Sequence, residues 1–284
     1  MEIMGLIKIT CDSTADLSEE LLNQYNIDTI PMYINLDGKS YKDGVEIYPE
    51  DIYDYVNKTG NLPKTAAVSI KDYLDFFGRF HKDYDAVIHI NLGDQFSSSH
   101  QNAKIAAGEF HNVYAFNSEN LSTGTGHLVL EAAKMAEKGF SAREIIEELQ
   151  SLVKKIESSF VIDTLDYLHK GGRCSSLAAL GASLLNIKPN IEVLNGKMEV
   201  GKKYRGKIEK AINKYVADRL EGRTDIVTDR IFITHSGVSD EIIENVRVTI
   251  QNYQSFDEIV VTRASCTISC HCGPNTLGIL FKRK

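Results

Sequence analysis

The chain has 284 residues, 43% of them hydrophobic and 25% charged, with a net charge of −7. This is the composition of an ordinary folded protein with one large or two modest domains, at about 100–200 residues each. It excludes a general nucleic-acid binder, which needs a basic footprint, and no run of about 18 apolar residues reads as a membrane-spanning helix.

The first residues carry Lys8, Asp12 and Asp16 where a signal peptide would have its apolar core. Five cysteines, an odd number in a chain this long, do not read as a secreted disulfide framework. A reducing, cytoplasmic setting is therefore expected, with cysteines acting as small apolar residues.

Strands are predicted at Leu6–Thr10, Thr29–Asn35, Ala86–Leu92 and Val113–Asn117. Helices are predicted at Ser18–Tyr25, Glu50–Lys58, Ile70–Lys82, Ser97–Phe110, Gly126–Lys138 and Ala142–Ser158. Short apolar strands followed by amphipathic helices imply βαβ units and a largely parallel sheet. Ligands of such sheets bind outside the carboxyl ends of the strands.

The loops after these strands are polar. Asp12-Ser13-Thr14-Ala15-Asp16-Leu17 leaves a strand and enters a helix, and its hydroxyls can bond backbone amides around that turn. Asp94 to Ala103 opens a helix with Ser97, Ser98 and Ser99, where free amides and hydroxyls suit a carboxylate or phosphate. A plain serine cap explains this loop equally well. Ser122-Thr123-Gly124-Thr125-Gly126 offers the same chemistry, but Val129 stands where a dinucleotide fingerprint needs its third glycine.

Gly171 and Gly172 end a helical pattern at Lys170 and leave Arg173 on a turn. A second helix follows, capped by Ser175 or Ser176 and apolar along Leu177, Leu180, Leu184 and Leu185. Ile187–Leu194 and Lys197–Lys203 flank Asn195-Gly196, a tight-hairpin signal. A helix at Gly206–Glu221, a strand at Arg230–Thr234, a helix at Asp240–Tyr253, and strands at Glu258–Thr262 and Thr276–Lys282 complete a second α/β unit with a mixed sheet. The division is placed near Ser159, giving domains 1–158 and 159–284.

Three motifs fail on inspection. Gly196 to Lys203 resembles a phosphate-binding P-loop, but Lys203 occupies the Ser/Thr position and the segment starts on a hairpin turn. Cys266, Cys270, His271 and Cys272 lack the spacing of common zinc sites, and an extended segment would turn His271 away from Cys270 and Cys272. No Gly-x-Ser-x-Gly elbow marks a hydrolase.

These pieces together resemble the DegV family of bacterial fatty-acid-binding proteins, over nearly the whole chain. The most specific parts are Asp12-Ser13-Thr14-Ala15-Asp16-Leu17, Lys170-Gly171-Gly172-Arg173, Leu185-Asn186-Ile187-Lys188-Pro189 with Tyr204-Arg205-Gly206, and His271-x-Gly273-Pro274. The resemblance implies two α/β domains with a long-chain fatty acid in a tunnel between them. It implies a carboxylate held by Thr65, Ser97 and His271, with lesser roles for Ser98, Ser13 and Ser122.

It also implies a partner, an ATP-binding fatty acid kinase subunit that phosphorylates the bound carboxylate and meets Arg173 and Arg205. On this reading the chain has no catalytic centre, metal or cofactor of its own. Ala66, Ala67 and Val68 depart from the family's Thr-Ser-Gln-Pro-Ser pattern, and Ser98 replaces its glycine. Two competing expectations are an enzyme acting on a phosphorylated or nucleotide ligand at the Ser97 and Gly124 loops, and a lipid carrier or sensor without a kinase partner.

Overall fold

A computed structural model describes residues 5–176 and 187–284. The expected apolar helix at Leu177–Leu185 lies outside the described residues. The chain runs through β1 (Ile7–Asp12), a short 3-10 turn, α1 (Glu19–Gln24), β2 (Asp28–Ile30), β3 (Tyr33–Leu36) and β4 (Lys39–Lys42). It continues through α2 (Pro49–Thr59), β5 (Lys64–Ala66), α3 (Ile70–Phe77), β6 (Ala86–Asn91), α4 (Ser99–Ala107), β7 (Val113–Asn117), α5 (Ser122–Glu137) and α6 (Ala142–Val153). The second half holds β8 (Ile156–Val161), α7 (Asp166–Gly171), β9 (Ile187–Leu194), β10 (Lys197–Arg205) and α8 (Ile208–Leu220). It closes with β11 (Ile226–Ser236), α9 (Asp240–Tyr253), β12 (Glu258–Arg263), α10 (Cys266–Cys272) and β13 (Thr276–Arg283).

The fold is α/β. A parallel four-stranded sheet has the order β2-β1-β6-β7, and a mixed six-stranded sheet the order β10-β9-β8-β13-β11-β12. All six residues of β6 are buried, as expected of a parallel strand covered on both faces. Between the sheets lies α5. Its Leu128, Leu130 and Ala132 share a core with Ile9 and Ile88 of the parallel sheet and with Phe232 and Leu280 of the mixed one. The N-terminal half of α5, Ser122–Leu130, is buried on every side, while Glu131, Lys134 and Glu137 reach the surface further along.

Gly124 and Gly126 make that position possible. A Cβ at Gly124 would fall under 3.0 Å from Ser158 Oγ and Asn120 Oδ1, and one at Gly126 would fall 2.9 Å from the Ala15 carbonyl. The glycine pair that suggested a nucleotide loop therefore serves close helix packing.

Three expectations need correction. The predicted strand Thr29–Asn35 is two strands: β2 joins the parallel sheet, while β3 pairs with β4 and β5 in a small antiparallel sheet. Pro31 stands at the break, where its missing N–H cannot continue a ladder. The predicted helix to Ser158 stops at Val153, and β8 follows, already paired with β13 at Ile156. The expected division at Ser159 thus falls within a strand. Lastly, residues Cys266–Cys272 are helical, so strand alternation does not govern His271 and its neighbouring cysteines. The Asn195-Gly196 turn does close the β9–β10 hairpin, with both residues at positive φ.

Candidate functional site

Where the carboxyl ends of β6 and β7 meet the mixed sheet, the chain encloses a cavity of about 280 Å³. This is near the lower end of ligand pockets, at ~300–1,000 Å³. Its apolar wall comes from Met32, Leu92, Leu121, Phe160, Met198 and Leu280. One face of α10 closes it through Thr267, Ile268, His271 and Cys272.

A polar cluster gathers at one end. Thr65 on β5 meets His271 on α10, with Oγ1 and Nε2 3.0 Å apart. The other ring nitrogen, Nδ1, is buried without a hydrogen-bond partner among the described residues. It lies against Gly171, where a Cβ would fall under 3.0 Å from Nδ1 and 3.2 Å from Cε1.

Burial and then the Arg173 charge push the imidazole down to about 4, so the ring is neutral near pH 7. A neutral ring has one N–H, and an orphaned buried N–H is rarer than an orphaned acceptor. The proton therefore sits on Nε2 and is donated to Thr65 Oγ1. That leaves the Thr65 hydroxyl proton free for the cavity.

Ser97 lies half-buried on the same wall. Its Oγ accepts the Ser99 amide at 3.2 Å and lies 3.0 Å from Ser99 Oγ. Ser98 lines the cavity and is exposed. Arg173 is also exposed, at the rim, and its guanidinium donates to the Gly171 carbonyl at 2.6 Å. Gly172 just before it has φ 67°, the left-handed conformation that ends α7.

The structure thus brings Thr65, Ser97, Ser98, Ser122, Arg173 and His271 to one cavity. Two expected residues lie elsewhere. Ser13 is outside the cavity lining, and its Oγ accepts the Met32 amide at 3.1 Å, so it shapes the turn after β2. Arg205 ends β10, exposed and away from the lining. Ser122 lines the cavity, but its hydroxyl is committed to Asp16 at 2.5 Å.

Two buried carboxylate systems hold this site; the sequence marked Asp12 and Asp16 within one motif but not Asp43 or the partners that these carboxylates bind. Asp12, at the end of β1, accepts from Tyr73 Oη at 2.7 Å and from the Leu92 amide at 2.8 Å, and lies 3.1 Å from His89 Nε2. Burial opposes its charge, but these bonds outweigh burial and hold the carboxyl below its ordinary range. Through the Leu92 amide the network fixes the start of the loop carrying Ser97.

The second system grips α10. Asp43 accepts the Cys266 and Thr267 amides at 2.8 and 2.9 Å, while Asp16 accepts the Ser265 amide at 2.9 Å. Three orphan donors of a helix start are satisfied by side chains more than 200 residues away in sequence. Burial pushes Asp16 up to about 7, against the opposing bonds from Ser122 and Ser265. On the same helix, Cys266 and Cys270 pack beside Ile34, Ile47 and Ile52. Burial pushes the Cys272 thiol up to about 11. No three His, Cys, Asp or Glu side chains among the described residues converge as metal ligands. No described helix is long and apolar enough to cross a membrane.

Comparison with known proteins gives consistent results. The family model for uncharacterised proteins of the DegV family matches residues 6–284. A DegV domain-containing protein of Caldanaerobacter subterraneus is 32% identical over 284 residues, covering 99% of this chain and 100% of the relative. Among solved structures, a DegV family protein from Thermus thermophilus, described for its fatty acid binding, superposes with a TM-score of 0.89 at 29% identity. The match covers 98% of this chain and 99% of the other. DegV from Bacillus subtilis, a fatty acid binding protein, gives a TM-score of 0.82 at 27% identity, covering 99% and 100% of the two chains.

Proposed function

This chain belongs to the DegV family, and from that premise we propose that it binds a long-chain fatty acid. The carboxylate sits at Thr65, Ser97 and His271, and the tail runs into the apolar part of the cavity. The observation that carries this reading is the pairing of a hydroxyl–imidazole cluster with an apolar wall in one enclosed space.

The chemistry supports it. Each buried methylene contributes about 0.8 kcal/mol, so the tail supplies affinity. The head group needs hydrogen bonds, because an unpaired buried carboxylate is very costly. The Thr65 hydroxyl, polarised by His271, and the Ser97 hydroxyl supply donors without a neutralising ion pair. The carboxylate oxygen keeps its nucleophilic character.

A second step follows from that. The carboxylate is presented to a separate ATP-binding kinase subunit, which forms the acyl phosphate. Arg173, at the rim, and Arg205 face that partner, since a guanidinium engages a carboxylate or a transferring phosphate in a planar fork. The chain itself supplies binding and orientation, from a cavity between two α/β domains in the cytoplasm, and it uses no metal or cofactor.

Native mass spectrometry of the purified protein, followed by denaturing extraction, tests the binding. A co-purified long-chain fatty acid is expected. An empty protein that takes up nucleotide and no fatty acid would instead favour an enzyme at the Ser97 and Gly124 loops. Ser97→Ala is expected to weaken fatty acid binding by about tenfold or more, since a bond to a charged group contributes about 1.5–3 kcal/mol. Unchanged affinity would move the carboxylate elsewhere.

A further inference from the structure

Part of the cavity wall is strung between two anchors. Thr65, Ala66 and Ala67 all line the space. They begin on β5, a three-residue edge strand whose ladder to β3 stops at Ala66, opposite Tyr33. Three residues is the short end of what sheets use, so the segment needs a second hold. That hold is at Val68, which is fully buried.

Both peptide groups of Val68 are bound by α4. Its N–H donates to Ser99 Oγ at 3.3 Å, and its carbonyl accepts from Asn102 Nδ2 at 2.7 Å. Ser99 and Asn102 stand three apart on one face of the helix. The turn that follows Val68 supplies neither bond, because Ser69 and Asp72 are engaged with each other at the start of α3. Ser99 reaches the other head-group segment as well. Its amide donates to Ser97 Oγ at 3.2 Å, and its hydroxyl lies 3.0 Å from the same atom. One buried residue thus ties the end of the Thr65 wall to Ser97.

Hydrogen bonds weaken steeply when length or angle departs from the preferred range. Two hydroxyls therefore serve one carboxylate only at a fixed separation. We propose that Asn102 and Ser99 are positioning residues for the head group: by gripping Val68 they set the distance from Thr65 to Ser97, and with it the affinity for a carboxylate that spans both. This rests on the fatty-acid reading above. Neither Asn102 nor Ser99 lines the cavity, so both act through Thr65 and Ser97.

The test titrates the full-length, delipidated protein calorimetrically with stearate, in the wild-type and Thr65→Val backgrounds, with thermal unfolding of each variant alongside. Asn102→Asp keeps the shape, but an ionised carboxylate has no proton to give the Val68 carbonyl. It is expected to bind stearate about tenfold more weakly, the worth of one bond to a charged group. In Thr65→Val the same substitution should cost little, because the bond it orients is already gone. A side chain that merely supports the fold would cost as much in both backgrounds. Ser99→Ala should likewise cost more in the wild-type background, which keeps the test decisive if Asn102→Asp does not fold, and Ser99→Thr should restore binding through its hydroxyl. Equal losses in the two backgrounds, or no loss from either residue, overturns the proposal and leaves the fatty-acid reading standing. A wild type that binds no stearate, or a Thr65→Val protein that binds it as tightly as the wild type, is instead a failure of that reading.

Discussion

Gly171→Ala sets local helix preference against the geometry of the site. Gly171 is the last residue of α7 and does not have a positive φ. Alanine in a helix is better than glycine by about 1 kcal/mol, so local reasoning forecasts a more stable protein. The cavity forecasts the opposite. The new Cβ would fall under 3.0 Å from His271 Nδ1, 3.2 Å from Cε1 and 3.5 Å from Cγ. Ordinary contact is about 3.5–4.0 Å, so the ring must shift by roughly 1 Å.

The Thr65–His271 bond, at 3.0 Å, cannot absorb that shift. Pushed toward Thr65 it has no room to shorten, and tilted aside it breaks. Overpacking costs about 1–3 kcal/mol and the lost bond about 1 kcal/mol more. Helix preference offsets only part of this. Fatty acid affinity should fall by about tenfold or more, because the Thr65 donor loses its orientation. Thermal unfolding and calorimetric titration on the same preparation decide the matter. A Gly171→Ala protein with a higher Tm and unchanged affinity would refute the reasoning.

Two further predictions concern Asp16 and Arg173. Folded Asp16 keeps its proton up to about pH 7, whereas an ordinary carboxyl loses it near 3.8. The folded state therefore binds more protons across that window, and stability falls as pH rises through it, by about 4 kcal/mol from this group. Asp16→Asn removes the charge, so its Tm relative to wild type should climb from pH 4 to 7 and level off above; a pH-independent difference would contradict the assignment. Arg173→Ala should leave fatty acid affinity nearly intact but sharply lower acyl phosphate formation with a cognate kinase subunit, with Arg173→Lys rescuing only in part. Loss of both functions together would mean that Arg173, at the rim, also serves ligand binding or the fold, and loss of neither would make it an ordinary surface charge.

What the sequence made legible was local. The parallel strands β1, β6 and β7 showed as apolar runs, and the β9–β10 hairpin through its Asn-Gly pair. Thr65, Ser97 and His271 came from family motifs, and the structure places them around one cavity. The small antiparallel sheet was hidden because β4 and β5 are three or four residues long and polar. The strand β8 was hidden because Ile156-Glu157-Ser158-Ser159 continues an amphipathic helix without a glycine or proline to stop it. Nothing in Lys42-Asp43-Gly44 marks Asp43 as more than a turn residue. Its role appears only when α10, more than 200 residues later, folds onto it. Periodicity carries no record of such partners.

That separation bears on how the protein acquires its binding competence. His271 meets Thr65 across 206 residues, and Ser265 meets Asp16 across 249. Strand β13 lies between β8 and β11, so the mixed sheet has no continuous middle until it is inserted. Contacts of such long range are slow to form, because loop closure is paid before they reward it. The parallel sheet can gather early from neighbouring βαβ segments, while the head-group cluster waits for the most distant pairings. The Thr65–His271 pairing is therefore expected to form only once α10 has docked on Asp43 and Asp16.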